Sequence, residues 1–358
     1  MQKMQYFGYF NKSGYAQSAV DYILAIRRYF DIKITPFGGI DQCSLSPNVL
    51  KEFSSLIKKP FYDGINIFHC IPTMQYSFDP KGKKIGFGVF ETYEPPKDWV
   101  EILNSNEAVI CPSEFCEQIF EKAGVNKPIF HIPHCVDFDL YNSVKKVKNE
   151  RFTFLYFGTW RKRKGWHLLI EAWMKEFDKN DNVQLIIKTD RFTLANQSIE
   201  QIKKELGLEK KEIAPIIFEC KTLNEIELSQ FYSKIDCLVN PSLGEGFYLS
   251  GIQALASKTP VLTTKLGGVT DWANDETVTW IEHDGYVYYN DLDKIPQFAN
   301  KKWGHINEKE ICNKMRWVVN NYNLVLEKTK KAYDYVFEKF NYNITANRFE
   351  NLMNSIKT

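Results

Sequence analysis

The sequence has no run approaching the ~20 apolar residues a membrane-spanning helix needs, which excludes a helical membrane span. It has almost no net charge: 46 Lys and Arg against 44 Asp and Glu leave +2. A dedicated binder of nucleic acid or another polyanion is therefore not expected. The opening residues, MQKMQYFGYFNKSGY, lack the apolar core and small-residue cleavage site of a secretory signal. A cytoplasmic location follows as the expectation, with at most peripheral contact with a membrane. The eight cysteines, at 43, 70, 111, 116, 135, 220, 237 and 312, are scattered and several sit inside apolar runs. That pattern reads as reduced, buried thiols and not as a disulfide framework. Internal repeats and low-complexity segments are also missing.

What is present is ample material for a core. At 358 residues, 44% hydrophobic and 15% aromatic, the chain is long enough for two domains of ordinary size. Short apolar runs alternate with helical spacing almost throughout. Strands are expected at residues 4–10, 32–36, 64–69, 85–90, 108–111 and 129–132, with helices clearest at 15–29, 96–103 and 113–123. The rhythm restarts after the charged stretch NSVKKVKNE (142–150), which contains no core segment and reads as a linker. Strands at 152–158, 183–188, 215–218, 237–240 and 260–263 then alternate with helices at 166–177, 198–206, 223–233 and 249–257. From residue 306 onward the pattern is mostly helical. Such alternation implies crossover units and parallel sheets, so the fold class is α/β with two Rossmann-like doubly wound domains. Ligands of such folds bind beyond the carboxyl ends of the strands, and two domains facing one another would place the site in a central cleft.

The strand-end loops carry the chemistry. After the strand at 237–240 comes PSLGEGFYLSGIQALA (241–256), a glycine-rich loop with one acid, Glu245, and then a helix. Positions 249, 252, 253 and 256 share a helix face, so Gln253 falls among Leu249, Ile252 and Ala256. It is either a glutamine satisfied by the backbone or an amide meeting a polar ligand such as ribose hydroxyls. Gly246 allows close backbone approach, and the N–H groups around Phe247, Tyr248 and Leu249 suit a phosphate. After the strand at 152–158 comes RKRK (161–164). A charge run is usually a solvated face, yet at a strand end these cations could neutralise a departing diphosphate. The loop of NKSGY (11–15) offers Gly14 and its neighbouring N–H groups to the same phosphates. Three signals carry less. DFD (137–139) and DLD (291–293) have metal-ligand spacing in the wrong setting, and HIPHC (131–135) has no second cluster to complete a zinc site. Cys111 and Cys116 read as packing residues.

Together these stretches resemble the retaining glycosyltransferases of family 4, which have the GT-B fold. EGFYLSGIQALASKTPVLTTKLGGVTDW (245–272) is similar to the family's Glu-Gly-Phe-Gly-Leu-Pro-x-x-Glu-Ala, Pro-Val and Gly-Gly signature, and 245–268 is the most specific block. HIPHCVDFDLY (131–141) and KGWHLLIEAW (164–173) resemble its Ile-Pro-x-Gly-Val-Asp and Lys-Gly-x-x-x-Leu-Ile-Glu-Ala segments. Residues 83–115 resemble a subgroup with Trp-Glu-Thr and Pro-Ser-Glu-Phe. The likeness spans about residues 5–355.

The resemblance implies an acceptor-side domain at 1–140, a nucleotide-sugar-binding domain at 141–340, and a final helix at 341–358 packed back on the first domain. It implies a retaining hexosyltransferase that needs no metal or other cofactor. The donor would be a UDP- or GDP-linked sugar, and the acceptor a glycan, a lipid-linked molecule or a protein. Glu245 takes the place of the glutamate beside the donor sugar, Lys164 that of the pyrophosphate lysine, and Gln253 that of the ribose glutamate. Thr159 stands where the family has arginine, with Arg163 or Arg161 as substitutes from the next turn. Glu91 takes the place of the first-domain histidine. Departures at 159 and 253 keep two rivals open: a silent nucleotide-sugar or glycan-binding protein, and a sugar-nucleotide epimerase. A DNA-glucosylating enzyme using RKRK is disfavoured by the small net charge.

Overall fold

The computed structural model describes residues 1–290 and 292–357. Contact density divides the chain into two compact units, residues 1–140 with 222–228 and 337–358, and residues 141–221 with 229–336.

In the first unit, β1 (Gln2–Phe10), α1 (Gly14–Ile26), β2 (Phe30–Ile40), α2 (Pro47–Lys58), β3 (Gly64–His69), β4 (Gly82–Phe87), α3 (Lys97–Asn104), β5 (Ala108–Cys111), α4 (Glu114–Lys122) and β6 (Ile129–His131) follow in turn. All pair in parallel in the order β2-β1-β3-β4-β5-β6. The strands read as near-continuous apolar runs because both faces are covered. Tyr6, Ile34, Ile67, Ile85 and Ile110 are fully buried against Ala19, Tyr22 and Ile23 of α1. α1 begins at Ser13, whose hydroxyl accepts from the N–H of Ala16 at 3.2 Å and so satisfies one orphan donor of the first turn.

A short helix, α5 (Phe138–Asn142), leads into the second series. It comprises β7 (Phe152–Phe157), α6 (Trp166–Glu176), β8 (Val183–Lys188), α7 (Phe192–Glu205), β9 (Ile216–Glu219), α8 (Glu225–Tyr232), β10 (Cys237–Asn240), α9 (Leu249–Ala256), β11 (Val261–Thr264) and β12 (Thr279–Ile281). The parallel sheet runs β9-β8-β7-β10-β11-β12. The direction of winding reverses between β7 and β10. Their carboxyl ends therefore flank the crevice where doubly wound sheets take ligands. An antiparallel pair, β13 (Tyr286–Tyr289) and β14 (Lys301–Gly304), precedes α10 (Glu308–Asn320), α11 (Tyr322–Phe340) and α12 (Tyr342–Lys357). The last of these belongs to the first unit and packs on α1, through Ala346, Phe349, Leu352 and Met353.

Three expectations need correction. Cys43 and Cys220 are exposed, while the other six cysteines are buried thiols; Cys43 lies in a short 3-10 turn and Cys220 in a loop, outside the apolar runs. The 142–150 stretch is not a free linker. Lys146 Nζ donates to the carbonyls of Tyr232 (3.0 Å) and Ile235 (2.8 Å) and to Thr259 Oγ1 (2.6 Å). The N–H of Val147 donates to Ser233 O at 3.0 Å. A lysine that reads as solvated is thus docked, and burial pulls its pKa down to about 8. Finally, β12 and the β13–β14 pair appear where no strand was expected.

One buried acid gives a pH prediction. Asp21 of α1 accepts from Tyr342 Oη (2.8 Å) and Gln17 Nε2 (3.2 Å), and burial outweighs both bonds, pushing its pKa to about 8 with Asp137 and Glu225 adding to the rise. The folded state holds this proton while the unfolded chain releases it above about pH 4. The contribution of Asp21 to stability therefore declines between about pH 4 and pH 8 and is level above. Asp21→Asn is expected to raise Tm at pH 8.5 and leave it nearly unchanged at pH 4. Equal Tm shifts at both pH values would refute this assignment.

Candidate functional site

The loop after β7 and the loop after β10 are bound to one another. The carbonyl of Arg163 accepts from the N–H of Leu243 (2.8 Å) and from Ser242 Oγ (3.1 Å), and Ser242 Oγ also lies 3.0 Å from Gly244 O. Gly165, between RKRK and α6, has φ +70° and ψ +10°, a region open to glycine at no steric cost. A Cβ there would stand 1.9 Å from Pro241 O. A second glycine holds the far side: Gly267 has φ +59°, its Cβ would lie 2.2 Å from Glu245 O, and the N–H of Gly268 donates to that same oxygen at 2.9 Å. Glycine at 165 thus lets the loop after β7 approach Pro241, and glycine at 267 lets the segment after β11 approach Glu245.

This packing brings Lys164 and Glu245 together. Lys164 Nζ lies 2.7 Å from each carboxylate oxygen of Glu245. The side chains are 17% and 6% exposed, so the pair is largely desolvated and each partner is held by the other. An ammonium has three N–H donors; two engage Glu245, leaving one for a ligand oxygen. The sequence placed both residues in the site but not in contact, since 81 residues separate them.

The remaining basic residues behave differently. Arg163 Nε stands 3.2 Å from Asp293 Oδ2, an ion pair without hydrogen-bond alignment, and the guanidinium lies 4.9 Å from the centre of the Phe298 ring. Arg161 Nη1 donates to the Asp293 carbonyl at 3.2 Å, and the Arg163 N–H to Oδ1 at 3.3 Å. Both arginines expected to stand in for the residue at 159 are thus engaged with Asp293. Asp293 is 7% exposed; its partner in the DLD spacing, Asp291, lies outside the described residues. Sequence reasoning gave Asp293 no role beyond that pattern, because its partner is 130 residues away. Thr159 is exposed, and its carbonyl accepts from Tyr156 Oη at 3.2 Å. Burial, then the Glu245 carboxylate, raise the Tyr156 pKa well above the usual phenol value.

Every residue from Pro241 to Leu249 is buried. Tyr248 caps α9 in the left-handed region, φ 67° and ψ 70°, which costs a side-chain-bearing residue about 1–2 kcal/mol. Its neighbours hold it there. Trp272 Nε1 donates to Phe247 O at 2.7 Å, the N–H of Gly251 to Tyr248 O at 3.0 Å, and Gly251 leaves room for the Trp272 ring. Two buried polar atoms at this end of α9, Tyr248 Oη and Gln253 Nε2, have no hydrogen-bond partner among the described residues. Gln253 is only 2% exposed, so the bland expectation of an amide nitrogen satisfied by nearby backbone is not met. Burying such a donor unpaired is costly, which marks it as a group awaiting a partner.

Gly14 and Glu91 lie in the first unit. Gly14 is the first residue of α1, exposed, with nothing within 4 Å of where a Cβ would be. Glu91 follows β4 in a half-buried loop.

Residues 151–301 match the family model for glycosyl transferases group 1. Residues 151–301 are thus a group 1 glycosyltransferase domain. The chain is 21% identical over 279 residues to a lipopolysaccharide 1,2-N-acetylglucosaminetransferase of Salmonella typhimurium, covering 75% of this chain and 66% of that protein. It is 23% identical over 281 residues to uncharacterized protein 356 of Sulfolobus islandicus rod-shaped virus 1, covering 75% of each. In structure it is similar to the Anabaena protein HepE, solved with UDP and glucose, at TM-score 0.70 and 13% identity over 99% of this chain and all of that one. That likeness, with two parallel six-stranded sheets and the last helix on α1, is the GT-B fold. Among the described residues no helix is long and apolar enough to cross a membrane.

Proposed function

We propose that the second unit binds a uridine diphosphate sugar between the loops after β7 and β10, and that the enzyme passes its hexose to a glycan hydroxyl. The observation that carries this reading is the desolvated Lys164–Glu245 pair at the strand-order reversal. Lys164, fixed by Glu245, directs its remaining N–H at the diphosphate. The N–H groups around Gly246, Phe247, Tyr248 and Leu249 are assigned to the same anion, and Gln253 to the ribose. Arg163 braces the loop through Asp293, and Thr159 leaves space beside the phosphates. Gly14 and Glu91 enter on the family resemblance, as a phosphate-side N–H and a first-unit carboxylate near the reacting sugar. Uridine is favoured because HepE was solved with UDP, and a glycan acceptor because the Salmonella relative acts on lipopolysaccharide.

Chemically, the acceptor oxygen forms a bond to the anomeric carbon on the face from which the phosphate oxygen departs. The leaving phosphate takes the acceptor proton, so configuration is retained. The barrier lies in the charge that grows on the diphosphate, and pre-placed donors lower it without reorganising. Fixed cations and N–H groups suffice for this in the proposal, so no metal is required. The test is a thermal-shift comparison of UDP, GDP and ADP with their sugars, followed by transfer assays with and without EDTA. UDP stabilising most, by mass action, with EDTA-resistant transfer, supports the reading. Stabilisation by none of the three, or metal-restored activity after chelation, overturns it.

Gln253→Leu keeps the apolar face of α9 and removes the amide whose nitrogen has no partner among the described residues. It is expected to weaken UDP binding about tenfold, the worth of one or two hydrogen bonds, with Tm held or raised. Unchanged affinity by calorimetric titration would show that Gln253 does not touch the nucleotide.

A further inference from the structure

The second unusual residue at the start of α9 is Tyr248. By the resemblance its position is a glycine, as the backbone there demands: φ is 67°, in a region that side chains avoid. Strain of this kind persists where the surroundings over-determine it, and it gathers at functional sites. The phenol is 9% exposed, and its Oη is buried without a hydrogen-bond partner among the described residues. Its ionisable neighbours are Tyr232, Glu245 and Tyr156. Tyr232 Oη is itself spent on Ser250 O at 3.1 Å, Tyr156 Oη on Thr159 O at 3.2 Å, and both Glu245 oxygens on Lys164. Burial and these neighbours hold the Tyr248 hydroxyl protonated, its pKa well above the ordinary phenol value. It is therefore a permanent O–H donor whose neighbours include Glu245 and Tyr156, and Tyr156 in turn bonds the carbonyl of Thr159, where the resemblance would place an arginine. The room for the ring is made by Gly251: a Cβ there would stand 3.0 Å from Tyr248 Cδ1 and 2.4 Å from Trp272 Cη2.

We propose that Tyr248 is a donor-binding residue whose hydroxyl bonds the diphosphate of the nucleotide sugar, replacing the contact that Thr159 cannot make. This deepens the donor-site reading above and rests on it. A neutral O–H in place of a guanidinium adds no charge, so it secures the diphosphate by direction.

Calorimetric titration of the full chain with UDP and with UMP separates the outcomes. Tyr248→Phe keeps the ring and its packing, so Tm should stay within about a degree of wild type. Its Kd for UDP should rise about fivefold to twentyfold, with the Kd for UMP changed less than twofold. Equal loss for UMP and UDP would move the hydroxyl away from the diphosphate and overturn the proposal, as would unchanged UDP affinity. Tyr248→Gly guards the conclusion if the phenylalanine variant misfolds: it frees the backbone, and it too should lose affinity for UDP more than for UMP. If wild type binds neither nucleotide while folded, the donor-site reading fails first, before the role of Tyr248 arises.

Discussion

Lys164→Ala is expected to lower kcat/KM for sugar transfer at least a hundredfold and, unlike an ordinary surface substitution, to weaken the fold. The first effect follows from charge. Removing one pre-placed donor or cation from a developing anion costs on the order of 10²–10³ in rate. The second follows from the partner left behind, because Glu245, 6% exposed at its side chain, would lose the ammonium that engages both its oxygens. Breaking a buried pair from one side typically costs about 3–5 kcal/mol. The 17% exposure of the Lys164 side chain puts the cost here at the low end. The alternative arrangement is to remove both charges. Lys164→Ala with Glu245→Gln should recover most of the lost stability while transfer remains lost. Chemical denaturation and initial-rate assays on the single and double variants measure the two effects separately. A single variant with turnover within twofold of wild type would remove Lys164 from the reaction. A double variant no more stable than the single one would mean that Glu245 is not harmed by losing its partner.

Gly165→Ala is expected to be among the most damaging single-methyl additions in the second unit. Its φ of +70° already disfavours alanine, and the new methyl carbon would meet Pro241 O at 1.9 Å. That oxygen belongs to backbone and has no rotamer to escape into, so one of the two loops must move. Strain and overpacking together set the loss at about 3–5 kcal/mol. The movement separates the loop carrying Lys164 from the one carrying Glu245, so UDP affinity should fall with stability. Gly14→Ala is the internal comparison. A Cβ at Gly14 meets nothing within 4 Å and its φ is not positive, and alanine at the first position of α1 keeps the N–H. It should be neutral or stabilising by about 0.5 kcal/mol. A denaturant midpoint for Gly165→Ala close to that of wild type would show that the Arg163–Leu243 junction is soft.

Much of this protein is written locally. Strands at 64–69, 108–111, 183–188 and 237–240 are expected and found at the same residues. There a short apolar run, bounded by loop residues, fits a buried parallel strand and little else. The crossover rhythm fixes parallel sheets, and Glu245, Gly246 and Phe247 announce a family through one contiguous block. Local pattern is weaker where polarity interrupts it. α7 was expected from residue 198 but starts at Phe192, because Asn196, Gln197 and Ser198 dilute its apolar face. The β13–β14 pair went unread because residues 290–300 between the strands carry no short-hairpin signal.

What the sequence alone determined is therefore the α/β class, the family resemblance and the strand-end loops, since each depends on residues a few positions apart. Only the tertiary structure decided the pairings: Lys164 with Glu245, Arg163 with Asp293, and Lys146 with the carbonyls of Tyr232 and Ile235. Each joins residues roughly ninety to a hundred and thirty positions apart or nearly so, and the order of strands in the sheet sets which loops meet. The same holds for the Gln253 amide nitrogen, without a partner among the described residues, and for the strained Tyr248. Type and position are plain in the sequence, but burial and missing partners are properties of everything folded around them.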